Sequence, residues 1–386
     1  MSKSEDVVGS ASSVAERKAG RTFPSVFQAW NPADSLPGED RWVTLARHDL
    51  MWGSPRQLDL RWDAPAAGLG ERFTPESVAA GRRRRAALAD LNPSLILLTE
   101  VRYRDAGAGF LPDGHPWWKR DGTGDLVAGW AEGGFFQLDF ANPAYRAHVA
   151  AQARAVVRSG VFDGVMLDWW QDDEDRLALV QAVREAIGPR AVIVANTNDR
   201  TCPRTAAQIN GLFMECTVTD RPDKWRRIAE TLAWAEARLR EPRLNCLETW
   251  YHTSRHDLHL MRATTTLALT HSDGYCLFSD PNPLPTPDHL HDWYAFWDAP
   301  LGRPLAAAAP RATPEVCPQW DPEHPLPADK NRTAVREFDG GTAVYNPPDG
   351  EAVVVRFGEP RTSAATRRRA ATHYLGNLDG DLYLVR

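Results

Sequence analysis

The chain has 386 residues, 43% of them apolar, enough for one large domain with a real core and a small appendage. A formal net charge of -6 gives no electrostatic footprint for nucleic acid, and no stretch is long enough to cross a bilayer. The five cysteines are an odd number without CxxC or His-rich spacing, which argues against both a disulfide framework and a zinc site.

Residues 1–21 are polar, lack the apolar core of a signal peptide and read as a disordered tail; on this basis the protein is expected in the cytoplasm. From residue 22 to 305 short apolar runs alternate with helical patterns, the rhythm of a parallel sheet with crossover helices. The runs are Ser25–Trp30, Val43–Leu50, Ser94–Glu100, Asp163–Trp170, Ala191–Asn198, Gly211–Cys216, Arg243–Trp250 and Gly274–Asp280. Eight such runs separated by helices predict an α/β fold, a (β/α)8 TIM barrel rather than an open doubly wound sheet.

Thr74-Pro75 and Asn142-Pro143 are N-cap and first-turn pairs that open helices, and Gly160 closes the second of these. The tetrad Arg82 to Arg85 lies in the first helix and reads as a solvated face. A long connection, Val101–Asn142, contains FFQLDF, which has the alternation of a short extra strand and is expected to cover the barrel mouth. Residues 306–329 are a Pro-rich linker, and 330–386, with AVYNPP, EAVVVRF and DGDLYLVR, predict a small C-terminal β-sandwich-like domain of antiparallel strands.

Barrel chemistry gathers at the C-terminal ends of the strands, so each ending is informative. They offer Trp30; His48 and Asp49; Glu100; Asp168 and Trp170; Asn196; Glu215; Glu248 and Trp250; and Asp280. Period-two alternation puts Met166, Asp168 and Trp170 on one face of their strand, Phe213 with Glu215 on one face of theirs and Glu248 with Trp250 on one face of theirs, so the acids and the tryptophans can line one pocket. Asp168 ends a run of Val, Met and Leu, where a carboxylate loses hydration without an evident structural return. Two carboxylates from different strands in a tryptophan-walled cleft are the equipment for cleaving a glycosidic bond, one protonated and the other ionised. Asp168 and Glu215 are therefore the candidate catalytic pair. Trp30, His48, Trp52, Glu100, Trp170, Asn196, Glu248, Trp250 and Asp280 are the candidate substrate contacts, with Glu100 and Glu248 equally open to a role in buried ion pairs. His48 reads as a hydrogen-bonding residue rather than a metal ligand, and no metal or cofactor is expected.

The stretch LDFANPAYRAHVAAQARAVVRSGVFDGVMLDWW resembles one found in glycosyl hydrolases with a barrel fold, among them families similar to endo-α-1,4-polygalactosaminidases. GLFMEC looks like the later strand that presents a second acid in that group, and AVYNPPDGEAVVVRF with LDGDLYL looks like its small terminal β-domain. The resemblance implies Asp168 on the fourth strand as nucleophile or base and Glu215 on the sixth as general acid/base. It also implies sugar hydroxyls held by Asn196, His48 and Glu248, and a carbohydrate as partner. Two rival readings are a non-catalytic carbohydrate-binding barrel and a metal-dependent barrel hydrolase using His48, Asp49, His252 and Asp280. The distance between the carboxylates, which separates retention from inversion of the anomeric centre, is not set by sequence.

Overall fold

In the computed structural model, which describes residues 12–280, 288–308 and 333–386, the apolar runs form parallel strands buried on both faces. The first half comprises β1 (Phe27–Ala29), β2 (Leu50–Trp52), β3 (Ile96–Glu100), β4 (Asp105–Gly107), β5 (Phe135–Gln137) and β6 (Gly164–Leu167). Then come β7 (Val192–Asn196), β8 (Gly211–Cys216), β9 (Cys246–Trp250) and β10 (Tyr275–Ser279). Eight of these make one parallel sheet in the order β1-β2-β3-β6-β7-β8-β9-β10. A parallel bridge from Val26 to Cys276, with Cys276 N donating to Ser25 O at 3.0 Å, brings the first strand against the last and nearly closes the barrel. Strands covered on both sides need no polar face, which is why they read as continuous apolar runs.

The outer layer is α2 (Arg41–Ala46), α3 (Pro75–Leu91), α4 (Pro143–Arg158), α5 (Glu174–Ile187), α6 (Pro222–Arg238) and α7 (Leu258–His271). Thr74 and Asn142 cap α3 and α4 through their side chains, and Gly160 (φ 70°) provides the left-handed turn into β6. The expected extra strand in the long connection is β5, antiparallel to β4 with Asp105 opposite Gln137.

Four expectations are corrected. The tail is not structureless through residue 21: Ser13 and Glu16 form a reciprocal capping box that starts α1 (Val14–Gly20). Arg17 of that helix pairs with Asp163 just ahead of β6, so α1 lies at the N-terminal end of the barrel strands. The second strand is not Val43–Leu50, because Asp40 accepts from Trp42 N and commits residues 41–46 to helix; the strand follows it. No helix separates β7 from β8, which are joined by turns across residues 197–210. The C-terminal strands form a single antiparallel sheet instead of a sandwich.

That sheet contains β11 (Ala334–Phe338), β12 (Gly341–Asn346), β13 (Val353–Ser363), β14 (Arg369–Leu375) and β15 (Asp379–Leu384), in the order β11-β12-β15-β13-β14. Residues 309–329 of the expected linker lie outside the described residues. The sheet packs on α7, whose Thr264, Thr265, Thr266 and Thr270 are all buried. Each of these hydroxyls donates to a carbonyl four residues earlier at 2.7–2.9 Å, so the helix meets apolar surroundings on both sides without orphaned donors. Among the described residues no helix is long and apolar enough to cross a membrane.

Candidate active site

All eight barrel strands contribute, at or just beyond their C-terminal ends, to one cavity of about 720 Å³. Its floor is aromatic. Phe27 and Trp52 stack at 5.0 Å, Phe213 packs edgewise against Trp52 at 4.8 Å, and Trp30 stands on Trp52 at 5.9 Å. These bulky rings fill the barrel interior and set how deep a ligand can reach.

Above the floor, Asp168 follows β6 and Glu215 is the fifth residue of β8, and both line the cavity. Between them on β7, Asn196 donates one amide proton to Asp168 Oδ1 at 2.9 Å and the other to Glu215 Oε2 at 2.8 Å. Its own oxygen accepts from Asn198 N at 3.2 Å, which fixes the orientation of the amide. Both accepting oxygens are held by the same nitrogen, at 2.9 and 2.8 Å, so they lie at most about 5.7 Å apart. Burial, then the nearby Glu100 and Glu215 charges, lift the Asp168 carboxyl to about 7. Burial also raises Glu215, opposed by the His289 imidazole and reinforced by Glu248.

The other candidate contacts divide clearly. Trp30, Asn196 and Trp250 line the cavity. Trp52 does not; it is floor, with no exposure. Glu100 is buried behind the wall, accepting from Trp30 Nε1 at 3.0 Å and pairing with Arg102 at 3.1 Å. Glu248 is wholly buried, accepts from Ser279 Oγ and faces His289.

His48 is outside the cavity. It sits in the turn before β2, with Nδ1 on the Thr44 and Leu45 carbonyls and Nε2 2.9 Å from His291, and burial holds it neutral, down to about 3. Asp280 also turns away, to Tyr251 Oη at 2.8 Å. Trp170 is buried with Nε1 on Thr205, and Trp169, 47% exposed, lines the cavity in its place. The cause is local: Trp169 has φ 52°, a left-handed residue that reverses the alternation just past the strand's end.

Sequence reading missed the residues that come from loops. Trp130 and Phe135 belong to the long connection, and Asn31, Asp288 and His289 follow the first and last strands. Only the aromatic and acidic character of those segments hinted at them. Arg104 lies over the Trp169 ring at 4.5 Å and Arg102 over Phe135 at 4.7 Å, so the rim is a set of aromatic faces backed by guanidinium groups.

The four residues of the metal-dependent reading do not converge: Asp49 bonds Ser25 and Asn92, and His252 bonds Thr219. Among the described residues Glu215, Glu248 and His289 do bring one possible ligand atom each within 4.8 Å of one another. Nδ1 of that histidine is already engaged by Glu248, at 2.8 and 3.1 Å from its two oxygens.

No family model matches the sequence, and no curated protein matches it either. Solved structures do match. An α-amylase from Lactobacillus plantarum superposes with a TM-score of 0.55 at 11% identity, over 96% of this chain and 99% of that one. The maltogenic α-amylase AmyB from Thermotoga neapolitana gives 0.51 at 12% identity, over 94% and 99%. The ligand-free cyclic α-maltosyl-(1→6)-maltose hydrolase from Arthrobacter globiformis gives 0.50 at 13% identity, over 96% and 99%. The chain therefore has the fold of these glycoside hydrolases, an eight-stranded parallel barrel sheet followed by a separate antiparallel sheet. At such identities the likeness is one of fold.

Proposed function

We propose that the protein hydrolyses a glycosidic bond with retention of anomeric configuration, with Asp168 as nucleophile and Glu215 as acid/base. The observation that carries this reading is the Asn196 amide, which holds an oxygen of each carboxylate. So short a spacing suits direct attack by one carboxylate, whereas an inverting pair needs about 6.5–9.5 Å to admit a water. Asp168 attacks the anomeric carbon while the bond to the leaving oxygen breaks and Glu215 gives that oxygen its proton. Glu215, now ionised, takes a proton from water, which attacks the same carbon and releases Asp168. Asn196 keeps the two oxygens apart by a fixed distance through both steps.

Trp169, Trp130 and Trp250 supply apolar faces for sugar rings. Five carboxylates line the cavity, from Asp105, Glu132, Asp168, Glu215 and Asp288, against Arg102 and His289 as cations. This excess favours a neutral or cationic sugar over a uronate polymer. The α-amylases and the cyclic α-maltosyl-(1→6)-maltose hydrolase of the same fold are glycoside hydrolases, which supports the reaction class but not a particular sugar.

The test is hydrolysis of a panel of aryl glycosides and polysaccharides by wild type, Asp168→Asn and Glu215→Gln, with folding checked by circular dichroism. Both variants are expected to lose at least about a thousandfold in kcat/KM on natural linkages. Glu215→Gln should keep turnover on substrates with good leaving groups and be rescued by azide, and the first product should carry the substrate's anomeric configuration. Activity surviving in both folded variants overturns the site. A wild type that binds sugar without cleaving it leaves a carbohydrate-binding barrel.

A further inference from the structure

His289 is 2% exposed and has φ 58°, a backbone conformation that a non-glycine residue adopts at a cost. Its ring stacks on Trp30 at 5.0 Å and 27°, and both ring nitrogens face carboxylates: Nδ1 meets Glu248 at 2.8 Å and Nε2 meets Asp288 at 3.4 Å. Glu248 is itself held by Ser279. A ring with an acceptor at each nitrogen is the geometry of an imidazolium, which has two donors and no acceptor. Burial alone would discharge it, yet the adjoining Glu248 charge keeps it protonated, up to about 10.

The charged groups facing Glu215 are Asp168 beyond β6, Glu248 on β9, and Asp288 and His289 in the segment after β10. Of these only His289 is a cation, and it is the one placed by strained backbone, a stacked ring and two acids. We infer that His289 is a positioning residue for the proton of Glu215, a fixed positive charge that lets the same carboxyl serve as acid in the first step and base in the second. The inference rests on the glycosidase reading above. Once Asp168 is esterified its negative charge is gone, and Glu215 must then ionise to activate water. The imidazolium stabilises that ionised form at neutral pH.

The consequence is a split between steps. In His289→Gln, Glu215 holds its proton to higher pH, so the alkaline limb of kcat/KM moves up by about one pH unit. Breakdown of the covalent intermediate slows. On an aryl glycoside with a good leaving group kcat falls about tenfold, more than kcat/KM, and a burst of phenol appears. Because Glu248 loses its counter-charge in that variant, His289→Gln/Glu248→Gln, which leaves a neutral pair, is the companion. It should show a smaller upward displacement of the limb, because the Glu248 charge that raises Glu215 goes with the imidazolium, together with wild-type unfolding behaviour.

Nitrogen-15 spectra of the imidazole rings supply a readout that needs no turnover. His289, assigned by its loss in the variant, should be doubly protonated in the wild type at pH 8. A neutral ring there, or an unmoved alkaline limb and unchanged kcat to kcat/KM ratio in both folded variants, overturns the inference. If the wild type cleaves no glycoside, the reaction reading has failed instead. The inference then stands only if carbon-13 titration of Glu215 moves upward in His289→Gln.

Discussion

Asp168 sits where a carboxylate costs the fold something. Its folded pKa, about 7, lies above the ordinary value near 4, with burial as the first cause and the Glu100 charge as the second. Between these pH values the folded chain keeps a proton that the unfolded chain releases, so stability is fully present at low pH and falls as pH rises through 7. Asp168→Asn carries no such charge. It is expected to match wild type in urea denaturation at pH 4 and to be more stable by about 1–3 kcal/mol at pH 8, a range discounted for the water the cavity admits. A gap that does not widen with pH would mean that the carboxyl is ionised at little cost. The same residue that weakens the fold above neutrality is the one assigned to attack substrate, which is how strain and function coincide at a site.

Residues at strand ends were readable because barrel strands point their last side chains at one place. Asp168, Glu215, Asn196, Trp30 and Trp250 all reach the cavity. Trp169 and Trp170 exchanged places because one left-handed residue reverses a period-two pattern, and composition holds no record of that φ. His289 was out of reach for another reason: it belongs to a segment beyond the last strand, and its significance lies in pairing with Glu248, 41 positions away.

At the scale of elements, two barrel strands begin at a glycine and a third directly follows one, for the same physical reason. A Cβ on Gly164 would stand 1.9 Å from Val192 O, one on Gly211 would stand 2.1 Å from Leu244 O, and one on Gly274 would stand 1.9 Å from Asn245 O. In each case the obstacle is the backbone of the neighbouring strand, which cannot step aside as a side chain could. Gly164→Ala is expected to lower stability by about 2–4 kcal/mol, seen as a drop in Tm of several degrees, since strand β6 must move from β7 to make room. The shift would carry Asp168 with it, so activity per folded molecule should fall as well. An unchanged Tm would show that the sheet yields locally.

The apolar runs disclosed most strands because a core buried on both faces leaves little room for other chemistry. Where a run was shared between two elements the reading failed: VTLA fits a strand by composition, yet Asp40 ahead of it caps a helix. Likewise ATHYL in β14 was hidden by the arginines before it, on a strand that is half exposed and so lacks an apolar signature.

For the whole molecule, the barrel's two ends carry different burdens. The proposed catalytic groups lie where strands end, and the opposite end is tied down by arginines. Arg17 and Arg85 share Asp163 ahead of β6. Arg336 reaches from β11 to the Leu269 and Ser272 carbonyls at 2.9 Å each and to Asp273, all just ahead of β10, and also bonds Ala306 O. One guanidinium thus joins the terminal sheet to the barrel, with Trp225 against Tyr345 as a second contact between them. Arg336→Ala leaves several buried acceptors without a donor and Asp273 without its main counter-charge, which ordinarily holds that carboxyl low. The expected loss is about 3–5 kcal/mol in urea denaturation, with the terminal sheet separating before the barrel melts, followed through Trp225 fluorescence. Under native conditions kcat/KM should stay within about twofold of wild type, because the change lies at the far end of the strands from Asp168 and Glu215. A large fall in kcat/KM without loss of stability would mean that the terminal sheet acts on the cavity through α7 and the strands it covers, so that the two sheets work as one unit.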